Sequence, residues 1–209
     1  MPQVSSLQLQ IFRKNLEPFV VFSDEEWILF CNRLHLRRIK KKMKFAAHGK
    51  ICNEVGFILN GSFRFFFVKD GIEISNYFSF QNEFISSYRS FLKREPSLIN
   101  IEAMEDSQII YFSYTSLQEL LKDERVVLKM ERFGRMIAEY LICCYEERVV
   151  SFVTQTPEER YRLLLESGDD LLQRIPQYYL ANYLGITPVS LSRIRKRIFA
   201  AMKRQKMAS

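Results

Sequence analysis

Between Gln177 and Ile194 the chain reads QYYLANYLGITPVSLSRI, a stretch that few backbone arrangements satisfy. Two short helices meeting at a fixed angle need inward apolar residues, a small residue where they touch, and a turn residue that tolerates positive φ. Leu180, Leu184, Ile186, Leu191 and Ile194 supply the apolar set, Ala181 the small contact and Gly185 the turn. Thr187 is placed to cap the second helix and Pro188 to occupy its first turn. The pattern predicts a helix-turn-helix whose second helix runs from Pro188 to Phe199.

The rest of the chain divides by periodicity. Its 209 residues suit two modest domains at roughly 100 to 150 residues each. From Leu7 to Leu36, apolar residues at helical spacing (Leu9, Phe12, Leu16, Phe19, then Trp27, Phe30, Leu34) and the Ser23/Glu26 capping box predict two short helices. After Lys44 the pattern changes to short runs rich in Phe, Ile, Val and Tyr, separated by Asn60-Gly61 and Asp70-Gly71. Strands are expected through Ile72–Phe80, Phe84–Tyr88 and Asn100–Phe112, packed as an antiparallel roll or sandwich. From Ser116 the sequence turns helical. Val126, Met130, Phe133, Ile137, Tyr140 and Cys144 follow one another at four, three, four, three and four residues, the seam of a coiled coil. This stripe has two readings: pairing with a second helix, or packing on its own domain. Thr156, Pro157, Glu158 and Glu159 start a further helix. The expected class is α+β: an antiparallel β-roll domain over 1–115 with flanking helices, a long helix over 116–154, and an α-helical helix-turn-helix domain over 155–209.

Charge narrows the function. The net charge is +7, and 151–209 carries ten Lys and Arg against five Asp and Glu. From Ile186 onward there are seven cations and no acid. A one-signed basic segment fused to a helix-turn-helix points to double-stranded DNA as partner. Thr187 and Ser190 at the start of the second helix, Arg193 as base reader, and Ser192, Arg195, Lys196 and Arg197 as phosphate contacts are the candidate DNA-binding residues. A second basic run, Arg33 to Lys44, reads as a solvated helix end and strand. No apolar run approaches the roughly 20 residues of a membrane span, and Met1 to Gln10 lacks the pattern of a signal segment, so a cytoplasmic protein with no membrane partner is expected. Cys31, Cys52, Cys143 and Cys144 form no metal or disulfide spacing and read as reduced, mostly buried thiols. No nucleophile–base–acid set, phosphate-cradling glycine loop or metal triad is present, so an enzyme is not expected.

The order of β-roll, long helix and helix-turn-helix resembles the Crp/Fnr family of bacterial transcription regulators. Gly49 and Gly61 bracket GKICNEVGFILNG, similar to the family's first hairpin. Glu83-Phe84-Ile85 resembles the start of its phosphate-binding cassette, and Ile101 to Asp106 the strand that leaves it. Ser190 and Arg193 fall where DNA-reading members carry a hydroxyl and an arginine. The resemblance implies a homodimer paired along the long helix through Val126, Met130, Phe133, Ile137, Tyr140 and Cys144. It also implies two recognition helices in successive major grooves, with RNA polymerase as a further partner. Where cyclic-AMP-binding members carry Gly-Glu and Arg-Ser, this chain has Ser86-Ser87 and Ser97-Leu98. Cyclic AMP is therefore not expected as effector, since a buried cyclic phosphate would lack its countercharge. No cofactor or metal is expected. Phe84, Ser86, Ser87, Tyr88 and Ser97 line either a pocket for a different small-molecule effector or a vestigial turn. The family's DNA-side hairpins are short or missing: only Ser167 to Arg174 precedes the motif, and Lys203, Arg204 and Lys206 would have to supply the later hairpin's phosphate contacts. The competing function is a protein-interaction or signalling module with a degenerate roll and a helix-turn-helix that is only scaffold.

Overall fold

The structure is a computed structural model that describes residues 4–166 and 172–208, with side chains as far as Ala201. In chain order the elements are α1 (Ser6–Leu16), α2 (Asp24–Cys31), β1 (His35–Ile39), β2 (Lys44–Ala46), β3 (Glu54–Asn60), β4 (Phe63–Lys69), β5 (Ile72–Ser79), β6 (Phe84–Ile85), α3 (Tyr88–Lys93), β7 (Asn100–Ala103), β8 (Ser107–Ser113), α4 (Tyr114–Leu120), α5 (Val127–Thr154), α6 (Pro157–Glu166), α7 (Gln177–Tyr183) and α8 (Pro188–Ala208). The chain divides into two compact units, 1–144 and 145–209. The division falls inside α5.

The first unit is an antiparallel roll of two four-stranded sheets, ordered β1-β8-β3-β6 and β2-β7-β4-β5. Strand periodicity decides which core each side chain joins. Ile58, Phe63, Phe65, Ile85, Ile101 and Ile109 meet in one cluster. Phe57, Ile110 and Phe112, one residue out of phase on β3 and β8, enter a second cluster with Phe12, Leu16, Trp27, Phe30, Met130 and Phe133 from the helices. The β1-β8-β3-β6 sheet is thus covered on both faces, which explains why β8 reads as a nearly unbroken apolar run. The Asp70-Gly71 turn takes φ of 52° and 75°, the two positive values that a tight hairpin with native twist requires. Both N-terminal helices begin in capping boxes, Ser5 with Gln8 and Ser23 with Glu26.

Two expectations about this unit change. The run Phe84–Tyr88 is not one strand: β6 stops at Ile85, and Tyr88 opens the short helix α3, which ends at Arg94 with φ 59°. The α5 stripe, in turn, packs on its own unit over much of its length. Val126, Met130 and Phe133 are buried in the helix-side core, with Ile137 against it. Tyr140 stands edge-on to Phe19 with ring centroids 6.2 Å apart. Burial, with Cys144 and Glu83 nearby, pushes the Tyr140 hydroxyl up to about 12. A four-three stripe marks a helix face that must be covered, and here the roll does much of the covering.

The second unit contains the end of α5, then α6, α7 and α8. Thr156 and Glu159 exchange capping hydrogen bonds at the start of α6, where Pro157 opens the helix. Among the described residues Tyr161, Ile175, Leu180, Ala181, Leu184, Leu191, Ile194 and Ile198 are its buried apolar residues. Of the earlier hairpin segment, 167–171 lies outside the described residues. The backbone from Met202 continues α8 as helix to Ala208, and the side chains of Lys203, Arg204 and Lys206 lie outside the described residues.

Candidate nucleic-acid interface and sensor cassette

The turn between α7 and α8 is built by backbone bonds that only one residue type accommodates without strain. Ile186 N donates to the Ala181 carbonyl and Gly185 N to the Asn182 carbonyl, both at 3.0 Å. This is the double bond of a Schellman cap, which needs a left-handed residue between helix and exit. Gly185 supplies it at φ 73°. A Cβ there would also stand 3.3 Å from the Phe152 ring.

Two arginines hold the same turn from behind. Arg148 Nη2 donates to the Tyr183 carbonyl at 2.6 Å, and its guanidinium lies 3.7 Å from the Tyr183 ring centroid. Burial lowers the Arg148 pKa, and the neighbouring Arg160 charge acts in the same direction. Arg160 is buried; its Nη2 donates to the Leu184 carbonyl at 2.8 Å and its Nη1 to the Gln155 carbonyl at 2.6 Å. Both guanidinium groups lie over the Phe152 ring. Cations at a helix C-terminus satisfy its orphan carbonyls and oppose its dipole, so α7 is fixed at the end where the turn begins. No local sequence motif singles out this pair. Its signal was the presence of arginines among the apolar residues of α5 and α6, which resembled ordinary surface charge.

On α8, Thr187 accepts from Ser190 N at 3.2 Å, and the two hydroxyls are 3.0 Å apart. Leu191, Ile194 and Ile198 point inward. From Pro188 to Ala201 the exposed positions are Pro188, Val189, Ser192, Arg193, Lys196, Arg197, Phe199, Ala200 and Ala201, with Ser190 and Arg195 half-buried. Ser190 and Val189 lie three and four residues before Arg193, both on its side of the helix, Ser190 half-buried and Val189 exposed. Arg197 is engaged: its Nη2 lies 2.6 Å from Glu158 Oε2. Arg197 and then Arg162 hold the Glu158 carboxyl below its usual range. Thr187, Ser190, Ser192, Arg193, Arg195, Lys196 and Arg197 thus lie together along the start of one helix, with Arg193 and Lys196 projecting and Arg197 tied back.

In the cassette, the five residues read as a pocket do not form one common lining. Phe84 is part of the helix-side core, its ring centroid 5.3 Å from Phe57 and 5.6 Å from Phe133. Ser86 donates to the Glu54 carbonyl at 3.0 Å. The Ser87 and Ser97 hydroxyls lie 2.8 Å apart, both residues buried, and Ser97 is 2.7 Å from the Ile99 carbonyl. Tyr88 donates to the Gly134 carbonyl of α5 at 3.3 Å, and burial raises its pKa. Ser90 bridges Cys52 N and the Glu95 carbonyl. The cassette's two arginines are committed as well: Arg89 to Glu95 at 2.8 Å, and Arg94 to the Cys52 and Phe91 carbonyls at 3.1 Å and to Asn53.

Other expectations resolve simply. Of the four thiols, Cys52 is buried and Cys143 exposed, with Cys31 and Cys144 between; burial lifts Cys31 to about 11. Among the described residues no helix is long and apolar enough to cross a membrane.

No protein-family model and no curated protein sequence matches the chain. Solved structures do. The c-di-GMP-responsive global regulator CLP of Xanthomonas campestris matches with TM-score 0.67 at 14% identity, covering 86% of this chain and 93% of its own. FixK2 of Bradyrhizobium japonicum gives TM-score 0.67 at 18% identity, over 80% and 85%. A CooA variant from Carboxydothermus hydrogenoformans gives 0.62 at 13%, over 83% and 79%. With its eight described helices and two antiparallel sheets, the chain has the fold of the Crp/Fnr regulators.

Proposed function

We propose that the chain is a homodimeric transcription regulator that reads a two-fold-symmetric site in double-stranded DNA with α8. The observation that carries this reading is the open face of α8. Ser192, Arg193 and Lys196 are exposed there with no hydrogen-bond or ionic partner among the described residues, on a segment that contains no acid. A fold gains nothing from unpaired cations gathered on one helix face; a polyanion does. Arg193 is the base reader, through the bidentate geometry a guanidinium offers guanine. Thr187, Ser190, Ser192, Arg195 and Lys196 contact or orient the backbone, and Arg197 joins them by exchanging Glu158 for phosphate.

The second copy pairs through the face of α5 that the roll leaves open. Ile142, Tyr145 and Val149 are 65%, 57% and 62% exposed, at the three-four spacing of a seam. The two recognition helices then lie about one helical turn apart on the DNA. The roll does not hold cyclic AMP in the family manner. Its cassette serines bond to one another and to backbone, and its arginines are committed elsewhere, so a cyclic phosphate finds no countercharge. The effector is unassigned, the setting is the cytoplasm, and RNA polymerase is a further partner.

The test is selection of genomic fragments by the purified protein at physiological salt, beside Arg193→Ala. The expected result is an enriched palindromic site that the variant binds about 1 to 3 kcal/mol more weakly, with one position relaxed. Weak binding alike on every fragment would overturn it and leave the interaction-module reading, with the helix-turn-helix as scaffold.

A further inference from the structure

We infer that Val189 reads the C5-methyl group of a thymine in each half-site. The inference rests on α8 being the recognition helix, and goes beyond it by assigning a base to a residue that carries no charge or hydrogen-bonding group.

Val189 lies in the first turn of α8 and is 61% exposed. A β-branched residue on an open helix face is a poorer helix former than Ala and recovers nothing by burial, so the local fold gives no reason for it. Single exposed apolar residues are ordinary on protein surfaces; the setting of this one is not. It lies four residues before Arg193 and three before Ser192, in the strip of neighbours that a helix presents together. Its flanks are occupied: Pro188 fixes the helix start, and Ser190 is tied to Thr187. A helix entering the major groove by its N-terminus presents these side chains to base edges. Among those edges only thymine offers a methyl group. An apolar side chain in this place also disfavours cytosine, whose amino group would lose its water without gaining an acceptor.

The geometry fixes the spacing. Four residues rise about 6 Å along the helix, against about 3.4 Å per base step. The thymine therefore lies one or two base pairs from the guanine that Arg193 reads, on the side of the α8 N-terminus.

The experiment uses the full chain and the duplex recovered by selection, with each thymine replaced in turn by deoxyuridine, which removes only the methyl group. Binding of the wild type, Val189→Ala and Arg193→Ala is measured by fluorescence anisotropy. Val189→Ala places a good helix former at an exposed site, and its melting curve should overlay that of the wild type. The expected result is one thymine per half-site whose replacement weakens wild-type binding about fourfold, the effect of one buried methyl group. Val189→Ala should bind the thymine duplex about fourfold more weakly and be indifferent to the replacement. The inference is overturned if the wild type tolerates every replacement, or if Val189→Ala still feels the same one; in both cases an intact Arg193 effect would leave the DNA reading standing. Absence of any selective site would overturn both.

Discussion

The serine cassette of the roll and the outward face of α8 are both built from small hydroxyls and arginines, yet they use them in opposite ways. In the cassette the hydroxyls of Ser86, Ser87 and Ser97 are within hydrogen-bonding distance of one another or of backbone carbonyls, and Arg89 and Arg94 are committed to the protein. On α8, Ser192, Arg193 and Lys196 face outward with no partner among the described residues, and the bonding work is done behind them by Arg148 and Arg160. Polar groups that satisfy each other stabilise a shape, whereas polar groups held open by others are available to a ligand. Residue type alone therefore does not distinguish a site from a staple.

The sharpest way to break the comparison is to remove the support behind α8. Arg160→Ala strips the Leu184 and Gln155 carbonyls of buried donors and should destabilise the second unit by about 2 to 3 kcal/mol, read by urea unfolding of the whole chain. Gly185→Ala should cost about 1 to 2 kcal/mol, because a Cβ in the left-handed region is strained. If either variant unfolds like the wild type, the turn is not held in the way described.

In the cassette, Ser97→Ala should cost about 1 to 2 kcal/mol by leaving the Ile99 amide and the Ser87 hydroxyl without their partner. DNA affinity of the protein that remains folded should not change. That split between stability and binding is what a staple predicts. A change in DNA affinity at unchanged stability would make the cassette an effector site after all. Calorimetry with cyclic AMP should show no stoichiometric heat, and a tight, saturable signal would refute the missing-countercharge argument.

Much of this contrast was legible in the sequence on one side and hidden on the other. Gly185, Thr187 and Pro188 announce the turn because each is demanded by local backbone geometry, and local geometry is written in adjacent residues. The two sheets were legible for the same reason, through period-two runs and the Asp70-Gly71 turn. The α5 stripe was ambiguous because a four-three pattern reports only that a face is covered, and Met130 and Phe133 are covered by Phe30 and Phe112, which are distant in sequence. Arg148 and Arg160 were invisible because their acceptors are carbonyls, which every residue has. Val189 carries neither charge nor hydrogen-bonding group, so its residue type gives no mark of a reading residue.

The mildest test concerns Arg197, the one residue of the α8 set that behaves as the cassette arginines do. Its partner Glu158 has a pKa below the ordinary 4.5, owing first to Arg197 and then to Arg162. A carboxyl depressed in the fold contributes above its ordinary value, and that contribution is lost as the pH falls through the lowered one. The pair is therefore intact at neutral pH, and DNA must compete with Glu158 for the guanidinium. Glu158→Gln removes the competitor while keeping the side chain's shape. It should free Arg197 for one more phosphate, steepening the slope of log K against log salt by about 0.9. The effect should be alike on every sequence, because a phosphate contact carries no base information. An unchanged salt slope would mean that Arg197 belongs to the scaffold with Arg148 and Arg160, and that the open face of α8 ends at Lys196.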